Sequence, residues 1–234
     1  MIKKLLLFVT VLTSLSALAA TPDEVKTKLT AKYPDVHFLS VNATPAPGIF
    51  EVQVDPKSVM YTEATGEYFF PTMVEMKTRR NLGKERGLEL SKISFNDLPL
   101  KDAIKVVRGD GKRTMAIFSD PDCPYCKTLE TSVVALDNVT MYVFPFPLTS
   151  LHPGARDKAI SIWCASNPAE LWSRTLISGQ APKSAQCDNP IDRNIELAKR
   201  LNIFGTPALI FSDGTVVPGA IPFDQIEANL QRAG

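Results

Sequence analysis

Two cysteines lie where an apolar run of the sequence gives way to a stretch with helical spacing. Residues 113–120 read RTMAIFSD, which is typical of a buried strand, and Cys123 and Cys126 follow shortly after. Apolar residues then recur at Leu129 and Val133, which lie on one face of a helix. A strand, a C-x-x-C motif and a helix in this order constrain the fold more than any other feature, because they place both sulfur atoms at the start of a helix beside a sheet.

The sequence after this motif continues with the strands and helices of an α/β unit. Residues 140–146 predict a second strand, parallel to the first, and residues 205–211 predict a third. The other predicted elements are helices at 155–166, 168–178, 190–201 and 222–231 and a short strand at 215–219. This order predicts a thioredoxin fold with a helical insert for residues 106–234. In that fold the bond between Thr206 and Pro207 is cis and faces the C-x-x-C motif.

Residues 21–80 predict a separate α+β unit. Thr21, Pro22 and Glu24 have the pattern of a helix N-terminus, with an N-cap, a proline at the first helical position and a capping box. The unit holds no cysteine, and its one histidine, His37, favours a packing or surface role. Strand-like runs follow at 36–41, 49–54, 58–62, 66–70 and 72–76. We expect a helix on a curved antiparallel sheet that serves as a binding or dimerisation module.

Between the two units, residues 81–105 combine many charged side chains with unevenly spaced apolar ones. Leu88 and Leu90 favour a short helix, whereas Gly83 and Gly87 weaken it. The segment therefore predicts a flexible, partly helical linker.

The segment 1–20 has the three-part layout of a secretory signal. Lys3 and Lys4 precede an apolar stretch, and the chain has candidate cleavage points after Ala19 and Ala20. The apolar run is short for a membrane span. Cleavage removes two lysines and no acid, which changes the formal net charge from +1 to −1. We therefore expect an exported protein without the basic surface that nucleic acid requires.

Export bears on the four cysteines, all of which lie after the signal. An even number of cysteines in an oxidising compartment favours disulfides over metal ligands. The C-x-x-C pair fits a structural disulfide, half of a zinc site or a redox centre. Free N–H groups and the positive end of the helix dipole favour a thiolate at Cys123, and Cys126 lies one turn on as a reserve thiol. In the redox interpretation Cys123 attacks a disulfide, and Cys126 or a substrate thiol resolves the product.

Residues around the pair support such a reaction. Pro124 stiffens the turn, and Tyr125 offers an exposed aromatic edge. The backbone of Thr206, just before Pro207, is suited to pair with an extended substrate in the manner of an added strand. His152 lies in a Pro-Gly loop and is a weaker candidate.

The other two cysteines, Cys164 and Cys187, fall in the predicted helical insert. They fit a second redox pair or a structural bridge, and the bridge is favoured because neither has a C-x-x-C partner. A zinc site built from all four cysteines lacks the second closely spaced pair that is usual in structural zinc sites. We therefore expect neither a metal nor another cofactor.

Four short sequence motifs together resemble those of a known family. They are DPDCPYCKTLE at 120–130, SIWCA at 161–165, SAQCD at 184–188 and GTPALIFSDGTVVPG at 205–219. With them the chain resembles the DsbC/DsbG family of Gram-negative periplasmic thiol–disulfide proteins over its whole length. The resemblance implies a cystatin-like N-terminal dimerisation domain and a thioredoxin-fold catalytic domain, joined into a V-shaped homodimer whose two active sites face an apolar cleft.

The same resemblance implies roles for individual residues. Cys123 is the attacking cysteine and Cys126 the resolving one, Thr206-Pro207 is the cis-proline pair, and Cys164–Cys187 is the structural bridge. The implied activity is isomerisation of wrong disulfides in misoxidised secreted proteins, with Cys123 kept reduced by a DsbD-like membrane thiol reductant. Between the cysteines, Pro124-Tyr125 replaces the Gly-Tyr of the best-known DsbC proteins and is the dipeptide of DsbG. The alternatives are therefore a DsbG-like reductase of sulfenylated single cysteines and a chaperone or holdase with secondary redox activity.

Overall fold

The computed structural model describes residues 20–234, and the expected signal segment at 1–20 lies outside them except for its last residue. The chain divides into two compact units, one ending at Gly87 and one beginning at Leu88. Among the described residues, no helix has the length and apolar character that a membrane span requires.

The first unit opens with the predicted helix, α1 (Pro22–Lys32). The capping box is complete, because the Thr21 hydroxyl accepts from the Glu24 N–H at 3.3 Å and the Glu24 carboxylate accepts from the Thr21 N–H at 2.8 Å. Val25 and Leu29 are buried against the sheet. The local sequence signals at this N-terminus are confirmed.

A four-stranded antiparallel sheet forms the rest of this core. Its strands, in spatial and chain order, are β1 (Ser40–Ala43), β2 (Ile49–Asp55), β3 (Ser58–Glu63) and β4 (Phe69–Phe70). Phe50 and Val52 point to the helix side and are buried, as the alternation in this strand predicts. The last predicted run, 72–76, does not join this sheet. It supplies only β5 (Val74–Glu75), which pairs with β6 (Arg80–Asn81) in a hairpin of its own.

The turn between β3 and β4 is held by one carboxylate. Glu63 accepts hydrogen bonds from the backbone N–H groups of Thr65, Gly66, Glu67 and Tyr68. Partial burial would raise the pKa of Glu63, but these bonds to its ionised form outweigh that effect and lower the pKa to about 2. Gly66 in this turn has a φ of +68°, a backbone conformation that any residue with a side chain adopts only with strain.

The segment expected to be a linker is more ordered than its composition indicates. Helix α2 (Leu82–Leu90) begins immediately after β6 and contains both Gly83 and Gly87. Two single 3₁₀ turns follow, at Phe95–Asp97 and Leu100–Asp102.

The second unit is built on a five-stranded sheet. Its strands are β7 (Ile104–Arg108), β8 (Arg113–Ser119), β9 (Val139–Pro145), β10 (Ala208–Phe211) and β11 (Val216–Pro218). Their spatial order is β11-β10-β8-β9-β7. Strands β8 and β9 are parallel, as predicted, and the other neighbours are antiparallel. The expected thioredoxin fold is confirmed.

Helices cover both faces of this sheet. Alternate residues of the central strands, such as Phe118 and Met115, point to opposite faces and belong to separate apolar clusters. The helices are α3 (Pro124–Val133), α4 (Ala155–Trp163), α5 (Pro168–Ser178), α6 (Ile191–Arg200) and α7 (Phe223–Ala233). Helices α3 and α7 cover the face of Met115, while α6 covers the face of Phe118.

Strand β7 had no counterpart in the sequence prediction. Its sequence, IKVVR, is short and charged, and only Ile104 is buried. The strand forms because Ile104 pairs with Val143, which lies far along the chain. Such a non-local pairing leaves no periodic signal in five residues.

Candidate active site

Cys123 stands at the N-cap position of α3, where the chain turns from extended into helical backbone. Pro124 occupies the first helical position, which suits its fixed φ and its missing N–H group. The Cys123 thiol donates to the carbonyl oxygen of Thr206 at 3.4 Å. The peptide bond between Thr206 and Pro207 is cis, as expected from the fold. The structure therefore brings the first cysteine and the cis-proline segment together.

Cys126 lies in the first turn of α3 and is almost completely buried. Both Cys123 and Cys126 are free thiols. Burial raises the pKa of Cys126 to about 12, although hydrogen bonds from Ser119 and from the Asp120 N–H act in the opposite direction. Cys126 is thus a thiol at neutral pH.

Exposed aromatic side chains belong to the segments that carry the two halves of the site. Tyr125, between the cysteines, is 68% exposed, and Phe204, two residues before Thr206, is 76% exposed. Aromatic side chains of this kind add apolar contact area for a protein substrate. Tyr125 was expected from the sequence, whereas Phe204 was not.

The residue that directly follows β8 was also missed in the sequence prediction. Asp120 is fully buried, and its carboxylate accepts from the Asp122 N–H at 2.7 Å, from the Leu148 N–H at 2.7 Å and from the His152 ring at 2.9 Å. The signal was an acid in the run that leads into C-x-x-C, where buried apolar residues precede it. The structure gives His152 a defined partner, which its place in a Pro-Gly loop did not indicate.

Cys164 and Cys187 form a disulfide with their Cα atoms 5.7 Å apart. Cys164 caps the end of α4, and Cys187 lies in the irregular segment before α6. The bond closes the loop that contains α5, and closing a loop of this length stabilises a fold by about 3 kcal/mol. The four-cysteine zinc site is contradicted, because two of its required thiolates are joined to each other.

Comparison with known proteins agrees with this geometry. A family profile described as a thioredoxin-like domain matches residues 100–234, and one described as the disulfide bond isomerase protein N-terminal domain matches residues 16–84. A Bordetella pertussis protein named "Probable thiol:disulfide interchange protein DsbC" is 39% identical over 218 residues, which is 92% of this chain and 77% of the relative. The chain belongs to the DsbC family.

Two further relatives extend the comparison. The Salmonella typhimurium "Thiol:disulfide interchange protein DsbC" is 25% identical over 220 residues, covering 93% of this DsbC-family chain and 91% of the relative. The crystal structure of a disulfide interchange protein from Neisseria gonorrhoeae is 39% identical, with a TM-score of 0.56, and covers 58% of this chain and 98% of its own. The family predicted from the four sequence motifs is confirmed.

Proposed function

We propose that this DsbC-family protein is a thiol–disulfide isomerase that reshuffles incorrect disulfides in secreted proteins. One observation carries the proposal. A free thiol, Cys123, stands at a helix N-terminus against the cis Thr206-Pro207 segment, and the second thiol, Cys126, is buried behind it. This arrangement suits attack by one sulfur with delayed resolution by the other.

The first step is attack by the Cys123 thiolate on one sulfur of a client disulfide. A bond forms between Cys123 and that sulfur, the client disulfide breaks, and the other client sulfur leaves as a thiolate. The first helical residue, Pro124, has no N–H, so the free N–H groups at this end of α3 come from Tyr125 and Cys126. Together with the helix dipole they favour negative charge at Cys123.

The second step decides between isomerisation and reduction. A free client thiolate attacking the mixed disulfide releases a rearranged client, whereas attack by Cys126 leaves a reduced client and an oxidised enzyme. Because burial raises the pKa of Cys126, little of it is ionised at neutral pH, and only the thiolate attacks. Slow resolution gives the client time to find a new pairing, which favours isomerisation.

The N-terminal unit supports the proposal that two copies act together. Strand β4 is an edge of the four-stranded sheet. Phe70 within it is 43% exposed, and Tyr68 just before it is 69% exposed. An open edge with apolar side chains needs cover, and pairing with the same edge of a second copy across a two-fold axis provides it. Such a homodimer places two Cys123 sites around one client.

The N-terminal segment indicates where the protein acts, and the chemistry of Cys123 indicates that it needs a reductant. Residues 1–20 direct export to the periplasm of a Gram-negative cell and are removed after Ala19 or Ala20. An isomerase needs a reduced Cys123 in an oxidising compartment, so a DsbD-like membrane thiol donor supplies electrons.

Replacing Cys126 by alanine is expected to trap the first intermediate. Attack by Cys123 remains, but the internal route for resolution is lost, so mixed disulfides with client proteins accumulate. They appear as reductant-sensitive bands on non-reducing gels after acid quenching and alkylation. The chain with both Cys123→Ser and Cys126→Ala is the control and forms none. Absence of adducts from a Cys126→Ala protein whose Cys123 is shown to be reduced contradicts the mechanism.

A further inference from the structure

Asp120 connects the redox pair to a separate loop. Three donors converge on its two carboxylate oxygens: the Asp122 N–H on Oδ1, and the Leu148 N–H and the His152 ring on Oδ2. The carboxylate is fully shielded from water, and these donors replace its hydration. Both backbone N–H groups donate to the carboxylate, and we assign the donor role in the third contact to Nδ1 of His152.

The backbone of the same residue contacts both cysteines. The Asp120 N–H donates to the Cys126 sulfur at 3.4 Å, and the Asp120 carbonyl accepts from the Cys123 N–H at 3.2 Å. The side chain of Asp120 therefore holds the loop at 148–152, while its peptide groups hold the motif.

The loop that carries His152 is itself fixed. The His152 N–H donates to the Leu148 carbonyl at 2.8 Å, and the His152 carbonyl accepts from the Ala155 N–H at 3.0 Å at the start of α4. A second link joins the same helix to the motif, because Lys158 of α4 forms an ion pair with Asp122. Hydrogen bonds thus fix the backbone of His152, and its ring contacts Asp120.

We propose that Asp120 and His152 are positioning residues for the resolving step, because together they hold the Asp120 N–H on the Cys126 sulfur. In that step the Cys126 sulfur bonds to the Cys123 sulfur, the bond from Cys123 to the client sulfur breaks, and the proton lost by Cys126 ends on the client sulfur. A donor aimed at the Cys126 sulfur stabilises its thiolate, so the pair controls how fast mixed disulfides are resolved. The first attack, by Cys123, does not depend on this bond. The inference rests on the proposed function but concerns one step of the exchange.

The test compares side chains that keep or lose the donor to Asp120. Asparagine carries an amide nitrogen at the place of Nδ1, so His152→Asn keeps the contact, whereas His152→Leu removes it. His152→Gln is a second loss variant that stays polar, since its longer side chain carries the amide nitrogen past the carboxylate. His37 is exposed in the other unit, and His37→Asn is the matched control.

Oxidised glutathione is the probe, and both steps are followed by acid quenching and mass measurement. His152→Leu and His152→Gln are expected to slow conversion of the Cys123–glutathione mixed disulfide to the internal disulfide about tenfold, the effect of about 1.4 kcal/mol on a barrier. His152→Asn is expected to stay within about twofold of the parent, and His37→Asn to match it. Formation of the mixed disulfide, measured in a Cys126→Ala background, is expected to be unchanged in all variants.

Two results overturn the inference. One is unchanged resolution in both His152→Leu and His152→Gln. The other is an equal slowing of attack and resolution in both loss variants and in Asp120→Asn, which indicates only a structural role. Failure of the proposed isomerase function gives a different result. In that case the variants follow the expected rates with glutathione, but the parent protein does not rearrange protein disulfides.

Discussion

Replacing both Cys123 and Cys126 by alanine is expected to abolish the refolding of scrambled multi-disulfide clients. Exchange begins with a thiolate, and the remaining cysteines, Cys164 and Cys187, are bonded to each other. The rate should fall at least about 100-fold, to the background of the redox buffer, because only a thiolate is nucleophilic toward a disulfide. Recovery of activity of a scrambled ribonuclease-type client, assayed over time, measures this loss.

A client without cysteines provides the control for a binding role. Its aggregation on dilution from denaturant should be suppressed equally by the parent and by the double alanine variant, since the exposed aromatic residues Tyr125 and Phe204 remain. A separate binding function is contradicted if the double alanine variant loses both refolding activity and suppression of aggregation while its midpoint of thermal unfolding equals that of the parent. Retained refolding of disulfide-containing clients by the variant contradicts the isomerase mechanism and favours a holdase.

The second large effect is expected from a fragment that contains residues 91–234. The fragment keeps the whole five-stranded sheet, both redox cysteines and the backbone bond from Ile93 to Gly214, which is 2.9 Å long. We expect the fragment to be monomeric and to react with small disulfides within about threefold of the parent, because attack by Cys123 needs only local geometry. Isomerisation of scrambled proteins should fall at least about tenfold, since a single site no longer holds the client between two.

Sedimentation velocity and the scrambled-client assay test this prediction together. Full-length protein provides the control and should sediment as a dimer at micromolar concentration. A replacement of Phe70 by lysine at the β4 edge, which adds a charge where pairing is proposed, should reproduce both effects in the intact chain. A dimeric fragment, a monomeric full-length protein or a fragment with full isomerase activity contradicts the account.

Features set by neighbours in sequence were predictable. Thr21 and Glu24 cap α1 from three residues apart, and the C-x-x-C motif opens α3 because Pro124 suits the first helical position. Apolar and polar residues alternate around Phe50 and Val52, and in a strand this alternation places the apolar side chains on one buried face.

Features that depend on distant partners were not predictable from local patterns. Strand β7 exists through its pairing with β9, and a charged five-residue run carries no period of its own. The contact of Asp120 with His152 joins residues 32 positions apart, so an acid beside the motif gave no sign of its partner. The family resemblance supplied the roles of Cys123 and Cys126. It did not supply the contact between Asp120 and His152, because the four sequence motifs do not include His152.

The central claim is that Cys123 works as a reduced thiol in an oxidising compartment. The most direct measurement is the redox state of the Cys123–Cys126 pair in growing cells, trapped with acid and read by alkylation with a mass-shifting reagent. Cys164–Cys187 serves as an internal standard and should be fully oxidised in the same sample. The account predicts that most Cys123–Cys126 pairs are reduced and become oxidised when the membrane thiol donor is removed. A pair that is mostly oxidised in normal cells contradicts it and indicates an oxidase.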